Sequence, residues 1–95
     1  MTTQRKLVAR ALSIDELAYN LENISQDDKK AVEDYTDDEI LAEARYVLDL
    51  FVNPGQGHIN GEALRGEEGP DQKKWARSQV GKLQRFIAAY TKSPA

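Results

Sequence analysis

The chain has 95 residues, with 13 basic and 16 acidic side chains, one histidine and no cysteine; its net charge is −3 and its pI is about 5.1. This length suits one small domain, and the lack of cysteine excludes disulfides and thiolate sites. No apolar run approaches the roughly 18 residues of a membrane span and no signal-peptide pattern opens the chain, so we expect an intact cytoplasmic protein without membrane contact.

The charges are sorted along the chain. Residues 1–12 carry a balance of +3, and residues 13–52 carry a balance of −9. Residues 53–69 stand at −2, and residues 70–95 stand at +5. This order predicts separate acidic and basic surfaces, which influence the choice of partner rather than the fold.

The N-terminal residues 1–12 are interpreted as a flexible or short helical arm ahead of a single helical domain over residues 13–95. Ser13 is followed three residues later by Glu16, which is the spacing of a capping box and favours a fresh helix start. The alternative is one longer helix, because the apolar stripe continues upstream through Ser13. The same stripe predicts a first helix over about 14–23.

Two further helix starts follow. Ser25 is a candidate N-cap for a second, short helix that ends near Tyr35. Thr36 with Glu39 repeats the capping-box spacing and predicts a third helix that runs to about Val52, where an Asn-Pro-Gly sequence stops it. Since this helix is apolar almost all round, we expect it at the centre of the fold.

The last helix is predicted from about Pro70 to Thr91, with apolar residues at the spacing of a helix packed in a bundle. We expect Val47, Phe51, Leu83 and Ile87 to be nearly fully buried and in mutual contact. The fold class is therefore all-α: a small four-helix bundle-like domain with a long glycine-rich loop, residues 53–69, before the last helix.

The loop 53–69 holds five of the six glycines of the chain. It follows no strand and lacks the lysine of a P-loop, so nucleotide binding is not indicated. Asn60 could cap a single helical turn, and Leu64 could pin the loop to the core. The loop is either a connector or a partner-contact loop. In the second case, the contact residues are His58, Asn60, Glu62 and Arg65.

Catalytic and metal chemistry find little support in the sequence. His58 is the only histidine, and a zinc site needs three or four nitrogen or sulfur ligands. Most acids fall in first helical turns or on solvated faces. Glu43 differs because it projects inside the apolar arc of the third helix, where it needs a partner such as a cation of another helix. The sequence thus predicts a non-enzyme without cofactor or metal. An enzyme-like acid site built around Glu43 is the alternative.

The back of the last helix is the strongest candidate for a contact surface. Basic side chains alternate there with small ones: Lys74, Arg77, Ser78, Gly81, Arg85, Ala88 and Lys92. A glycine inside a helix costs about 1 kcal/mol relative to alanine, which is easier to understand if a partner approaches the backbone at Gly81. The alternative is an ordinary solvated basic face.

These features predict a small protein-interaction or regulatory module with an acidic and a basic surface. Such modules are typical of bacterial or phage accessory proteins. The alternative function is a nucleic-acid-associated protein that uses the basic C-terminal helix and the N-terminal arm. The low pI argues against it, because nucleic-acid-binding domains usually have a pI above 9.

Overall fold

The computed structural model describes residues 6–91, so residues 1–5 of the predicted arm and Lys92 of the predicted basic face lie outside the described residues. The fold is all-α and bundle-like, as predicted. Residues 6–91 contain five α-helices: α1 (Lys6–Leu12), α2 (Asp15–Asp28), α3 (Asp37–Val52), α4 (Ile59–Leu64) and α5 (Pro70–Tyr90). Two short 3₁₀ helices, Val32–Asp34 and Pro54–Gln56, lie between them.

Helix α3 lies at the centre of the bundle, as its all-round apolar pattern predicts. It contacts each of the other four helices. The predicted capping box at its start is present: the Thr36 hydroxyl accepts from the Glu39 backbone N–H at 3.1 Å, and the Glu39 carboxylate accepts from the Thr36 backbone N–H at 2.8 Å. The helix ends at Val52, ahead of Asn53 and Pro54.

One part of the core lies between α3 and the inner face of α5. Val47, Phe51 and Leu83 are fully buried, and the rings of Phe51 and Trp75 lie 5.6 Å apart between centroids. Ile87 is only partly buried and packs on the edge of this cluster, so its expected central position is wrong. The edge of α5 that carries Ile87 turns further towards solvent than the apolar spacing predicts.

Residues 6–12 form a helix that packs on the core. Leu7, Val8 and Ala11 of α1 are buried, which ties this short helix to the rest of the bundle. The capping box predicted at Ser13 is wrong. The Ser13 hydroxyl donates instead to the carbonyl of Arg10 at 2.6 Å, at the end of α1.

The predicted second helix capped by Ser25 is also wrong, because α2 continues through this residue to Asp28. Lys29 then adopts the left-handed conformation, with φ of 54°, and ends the helix. The Ser25 hydroxyl donates to the carbonyl of Lys30, so it stabilises the end of α2 rather than the start of another helix.

The loop 53–69 contains more structure than predicted, since α4 lies inside it. His58, and not Asn60, caps α4: the Nδ1 atom of His58 accepts from the Asn60 backbone N–H at 3.0 Å. Leu64 packs against the core as expected. A Cβ atom at Gly61 would stand 3.1 Å from Nη1 of Arg65 and 3.4 Å from the carbonyl oxygens of Leu50 and Phe51, so there is little room for a larger residue between α4 and α3.

Candidate partner-binding surface

The basic face of α5 points away from the core. Lys74, Arg77, Ser78 and Arg85 are exposed and Gly81 is half-buried, whereas the opposite side of the helix is buried through Ala76, Gln79, Leu83 and Phe86. The helical spacing of the sequence therefore places the predicted contact residues of α5 on one accessible side.

The end of the Arg85 side chain lies close to Gly81. A Cβ atom at Gly81 would stand 3.3 Å from Nη1 of Arg85, which is closer than ordinary van der Waals contact. The guanidinium group therefore lies back along the helix, over the glycine one turn earlier. The absence of a side chain at Gly81 leaves room for this arrangement.

A groove of about 400 Å³ lies between the junction of α1 with α2 and the C-terminal half of α5. We call it the basic groove. It is lined by Arg10, Ser13, Ile14, Lys82, Arg85 and Phe86. Three of these six residues are cations and none is an acid, so the groove favours anionic groups.

A second, smaller groove of about 220 Å³ lies at the N-terminal end of α5. It is lined by Pro70, Lys73, Lys74 and Arg77, which belong to consecutive turns of one helix. It adds to the positive charge of the α5 face, but no second element closes it.

The cations of the basic groove form no ion pair with a described carboxylate. Within the described part of the chain, the ion pairs join Lys30 to Glu39 and Arg65 to Glu67. The acids at the end of α2 lie about 20 Å from the groove, given 1.5 Å per helical residue. That distance exceeds the screening length of about 8 Å at physiological salt.

The predicted contact residues of the loop 53–69 do not join this surface, since none of them lines either groove. His58 caps α4, and Glu62 is half-buried in that helix. Arg65 is exposed, with its Nε atom 2.7 Å from Glu67. The sequence suggested that the Asn60 side chain is accessible to a partner. In the structure Asn60 is only 5% exposed.

Of the six residues that line the basic groove, the sequence predicted Arg85 alone as a contact residue. Arg10 and Ser13 come from the N-terminal segment, and Lys82 lies beside the predicted stripe rather than on it. The positive balance of residues 1–12 and of residues 70–95 was the available signal. It did not show that the two segments meet, because that depends on how α1 packs across α5.

Two buried polar side chains were also missed. Gln79 accepts from the backbone N–H of Glu16 at 3.1 Å, and Asn60 donates to the Glu16 carboxylate at 2.8 Å. These bonds connect α2 with α5 and α4. Glu43 does have a partner, but it is Asn20 of α2, at 3.2 Å, rather than the expected cation.

Local contacts of Tyr35 stabilise the acidic segment between α2 and α3. The Tyr35 hydroxyl donates to Asp28 at 2.5 Å, and the Lys30 ammonium lies 4.6 Å from the Tyr35 ring centroid. The hydrogen bond to Asp28 raises the pKa of Tyr35 to about 12. The backbone hydrogen bond from Thr36 lowers the pKa of Glu39. These shifts follow from local hydrogen bonds that stabilise the turn before α3.

Among residues 6–91, no group of three or more His, Asp or Glu side chains is arranged to hold a metal ion. None of the described helices is both long and apolar enough to cross a membrane. Comparison with protein-family models, with curated proteins and with solved structures gives no match. Arguments about function therefore depend on the chemistry of the surface itself.

Proposed function

We propose that this chain is a non-catalytic protein-interaction or regulatory module that binds an acidic partner protein through the basic face of α5. The observation that carries the proposal is the basic groove, in which Arg10, Lys82 and Arg85 meet without an acid. Arg77 and Lys74 extend the same charge along the helix. Guanidinium groups bind carboxylates through paired hydrogen bonds, which suits an acidic protein surface.

An acidic protein fits this surface better than a nucleic acid does. The chain has a pI of about 5.1, and twelve of its sixteen acids fall in residues 13–52. A long polyanion that extends beyond the α5 face would be repelled by these acids. A folded protein can place its acids on the basic face alone. Nucleic-acid binding is the alternative, and the experiment below distinguishes it from binding of a protein partner.

The test is an affinity purification from a lysate of the source organism, with and without nuclease. The wild-type chain should retain a specific protein in both conditions. The double variant Arg77→Glu with Arg85→Glu should lose it, because two contact cations become acids. Lys29→Glu with Arg45→Glu is the matched control, since it changes the net charge equally at exposed positions outside both grooves.

Loss of the retained protein after nuclease treatment would favour the nucleic-acid alternative. Equal loss in both double variants would show that net charge alone is responsible and would contradict the assignment to the α5 face. Circular dichroism of each variant checks that the helices are intact.

A further inference from the structure

The basic groove is built from two segments that are distant in the sequence. Arg10 and Ser13 close it on one side, and Lys82 with Arg85 closes it on the other. The bond from the Ser13 hydroxyl to the Arg10 carbonyl holds the turn on the first side. The site therefore has two walls that approach a ligand from different directions, unlike a single charged helix face.

The floor of the groove is apolar. Ile14 and Phe86 line it, and each is 4% exposed. Methylene groups of arginine and lysine side chains commonly cover such apolar surface while their charged ends reach water. The combination of cations with an apolar floor suits a ligand that has both carboxylates and an aliphatic group.

Three positive charges around one groove repel one another, and a bound anion would relieve this repulsion. Asp15 follows Ile14 in the sequence, but it does not line the groove. Glu16 is already bound to Asn60 on the side of α4. The groove thus lacks an acid of its own at the position where a ligand's acid would fit.

We propose, on the basis of the function proposed above, that the basic groove is the recognition site for a short acidic segment of the partner. A carboxylate of that segment lies between Arg10 and Arg85, and a neighbouring aliphatic side chain packs against the apolar part of the groove lining. The groove volume of about 400 Å³ falls in the range of roughly 300–1,000 Å³ that is usual for ligand sites.

The probe is a fluorescein-labelled peptide in which glutamates flank a single leucine, and its binding is followed by fluorescence anisotropy. One control peptide has glutamine in place of every glutamate, and a second has serine in place of leucine. The glutamine peptide should bind at least about tenfold more weakly. The serine peptide should bind about fivefold more weakly, because it covers less of the apolar floor.

The variants locate the site. Arg10→Glu and Arg85→Glu should each weaken binding of the leucine peptide by about tenfold, although they lie on different helices. Lys29→Glu changes the net charge equally and should weaken it by less than about twofold, since Lys29 lies at the far end of α2. Lys74→Glu, on the α5 face outside the basic groove, distinguishes the groove from the helix face.

Each contrary outcome has a defined meaning. If Lys74→Glu weakens the peptide as much as Arg85→Glu does, and Arg10→Glu has no effect, the α5 face binds acids without the groove. The inference then fails while the proposed function stands. The same holds if the peptide does not bind but the purified partner still depends on Arg85. Tighter binding of a DNA duplex would overturn both proposals.

A second copy of the chain is the remaining occupant, because its own acidic segment could enter the groove. Sedimentation at low salt tests this. A concentration-dependent dimer that Arg10→Glu abolishes would assign the groove to self-association and overturn the inference.

Discussion

The side-chain carbonyl of Gln79 accepts the backbone N–H of Glu16 at 3.1 Å, so a residue of α5 caps the first turn of α2. Gln79 is 1% exposed, and it lies on the inner side of α5. The bond fixes the start of α2, and with it Ile14, against the helix that carries Arg85. This hydrogen bond, which is part-buried, therefore connects the two elements that form the walls of the basic groove.

Gln79→Met should destabilise the fold by about 1–3 kcal/mol, because the Glu16 N–H loses its acceptor while the side-chain length stays similar. Urea unfolding followed by Trp75 fluorescence measures this change. Gln84→Met is the matched control, since Gln84 is exposed on the same helix and the change there should stay within about 0.5 kcal/mol. Equal stability of the two variants would show that the cap contributes nothing.

Phe51→Ala should cost about 3–5 kcal/mol, which is a large share of the stability of so small a domain. Phe51 is 1% exposed and packs on Trp75, so its removal leaves a cavity beside α5. Val52→Ala is the control, because Val52 is exposed at the end of the same helix. A thermal melt of Phe51→Ala that matches wild type would contradict the central position of α3.

The two capping boxes predicted from the sequence show what local patterns can decide. Thr36 and Glu39 form theirs, with both reciprocal hydrogen bonds present. Ser13 and Glu16 have the same spacing, but the Ser13 hydroxyl donates to the Arg10 carbonyl of α1. The backbone N–H of Glu16 donates to the side chain of Gln79. An acceptor sixty-three residues away is invisible to a local pattern.

The candidate site shows the same difference between what local patterns predict and what depends on the packing of distant segments. Helical periodicity predicts the accessible face of α5 correctly, because the side that carries Leu83 must be buried. It does not find Arg10, whose position depends on how α1 packs against α2, α3 and α5. Asparagine is a residue type typical of surface loops. The Asn60 side chain is nevertheless buried, where it donates a hydrogen bond to the Glu16 carboxylate.

Stability should fall at alkaline pH because of Tyr35. Its pKa is raised from 10.0 to about 12 by the hydrogen bond to Asp28, so the folded protein disfavours the ionised phenol. The contribution is fully present below pH 10.0 and is lost as the pH rises from there to about 12. Urea unfolding as a function of pH measures it.

Tyr35→Phe should remove this alkaline loss, and Asp28→Asn should bring the pKa of Tyr35 back towards its ordinary value. Tyr19→Phe is the control, since Tyr19 is 60% exposed and should leave the pH profile unchanged. Tyrosinate absorbance gives the titration directly. A profile that Tyr35→Phe does not flatten would mean that other groups cause the alkaline loss.

Gly81→Ala should separate stability from binding. The substitution should stabilise α5 by up to about 1 kcal/mol, because alanine is the better helix former and the site faces away from the core. The new Cβ would stand 3.3 Å from Nη1 of Arg85, so the guanidinium group must move. This movement costs little because the side chain is flexible, but it should weaken binding of the acidic peptide. Gly81→Leu should also fold, and it should obstruct a partner more strongly.

A thermal melt and a peptide titration on the same samples test this pair of effects, with Gln84→Ala as the control. Gln84 is exposed on α5 and lines neither groove, so its variant should gain stability without a change in affinity. Full affinity in Gly81→Ala would show that the position of the Arg85 side chain over Gly81 is unimportant for recognition. An unfolded Gly81→Leu would mean that this side of α5 is covered, and that the partner surface lies elsewhere.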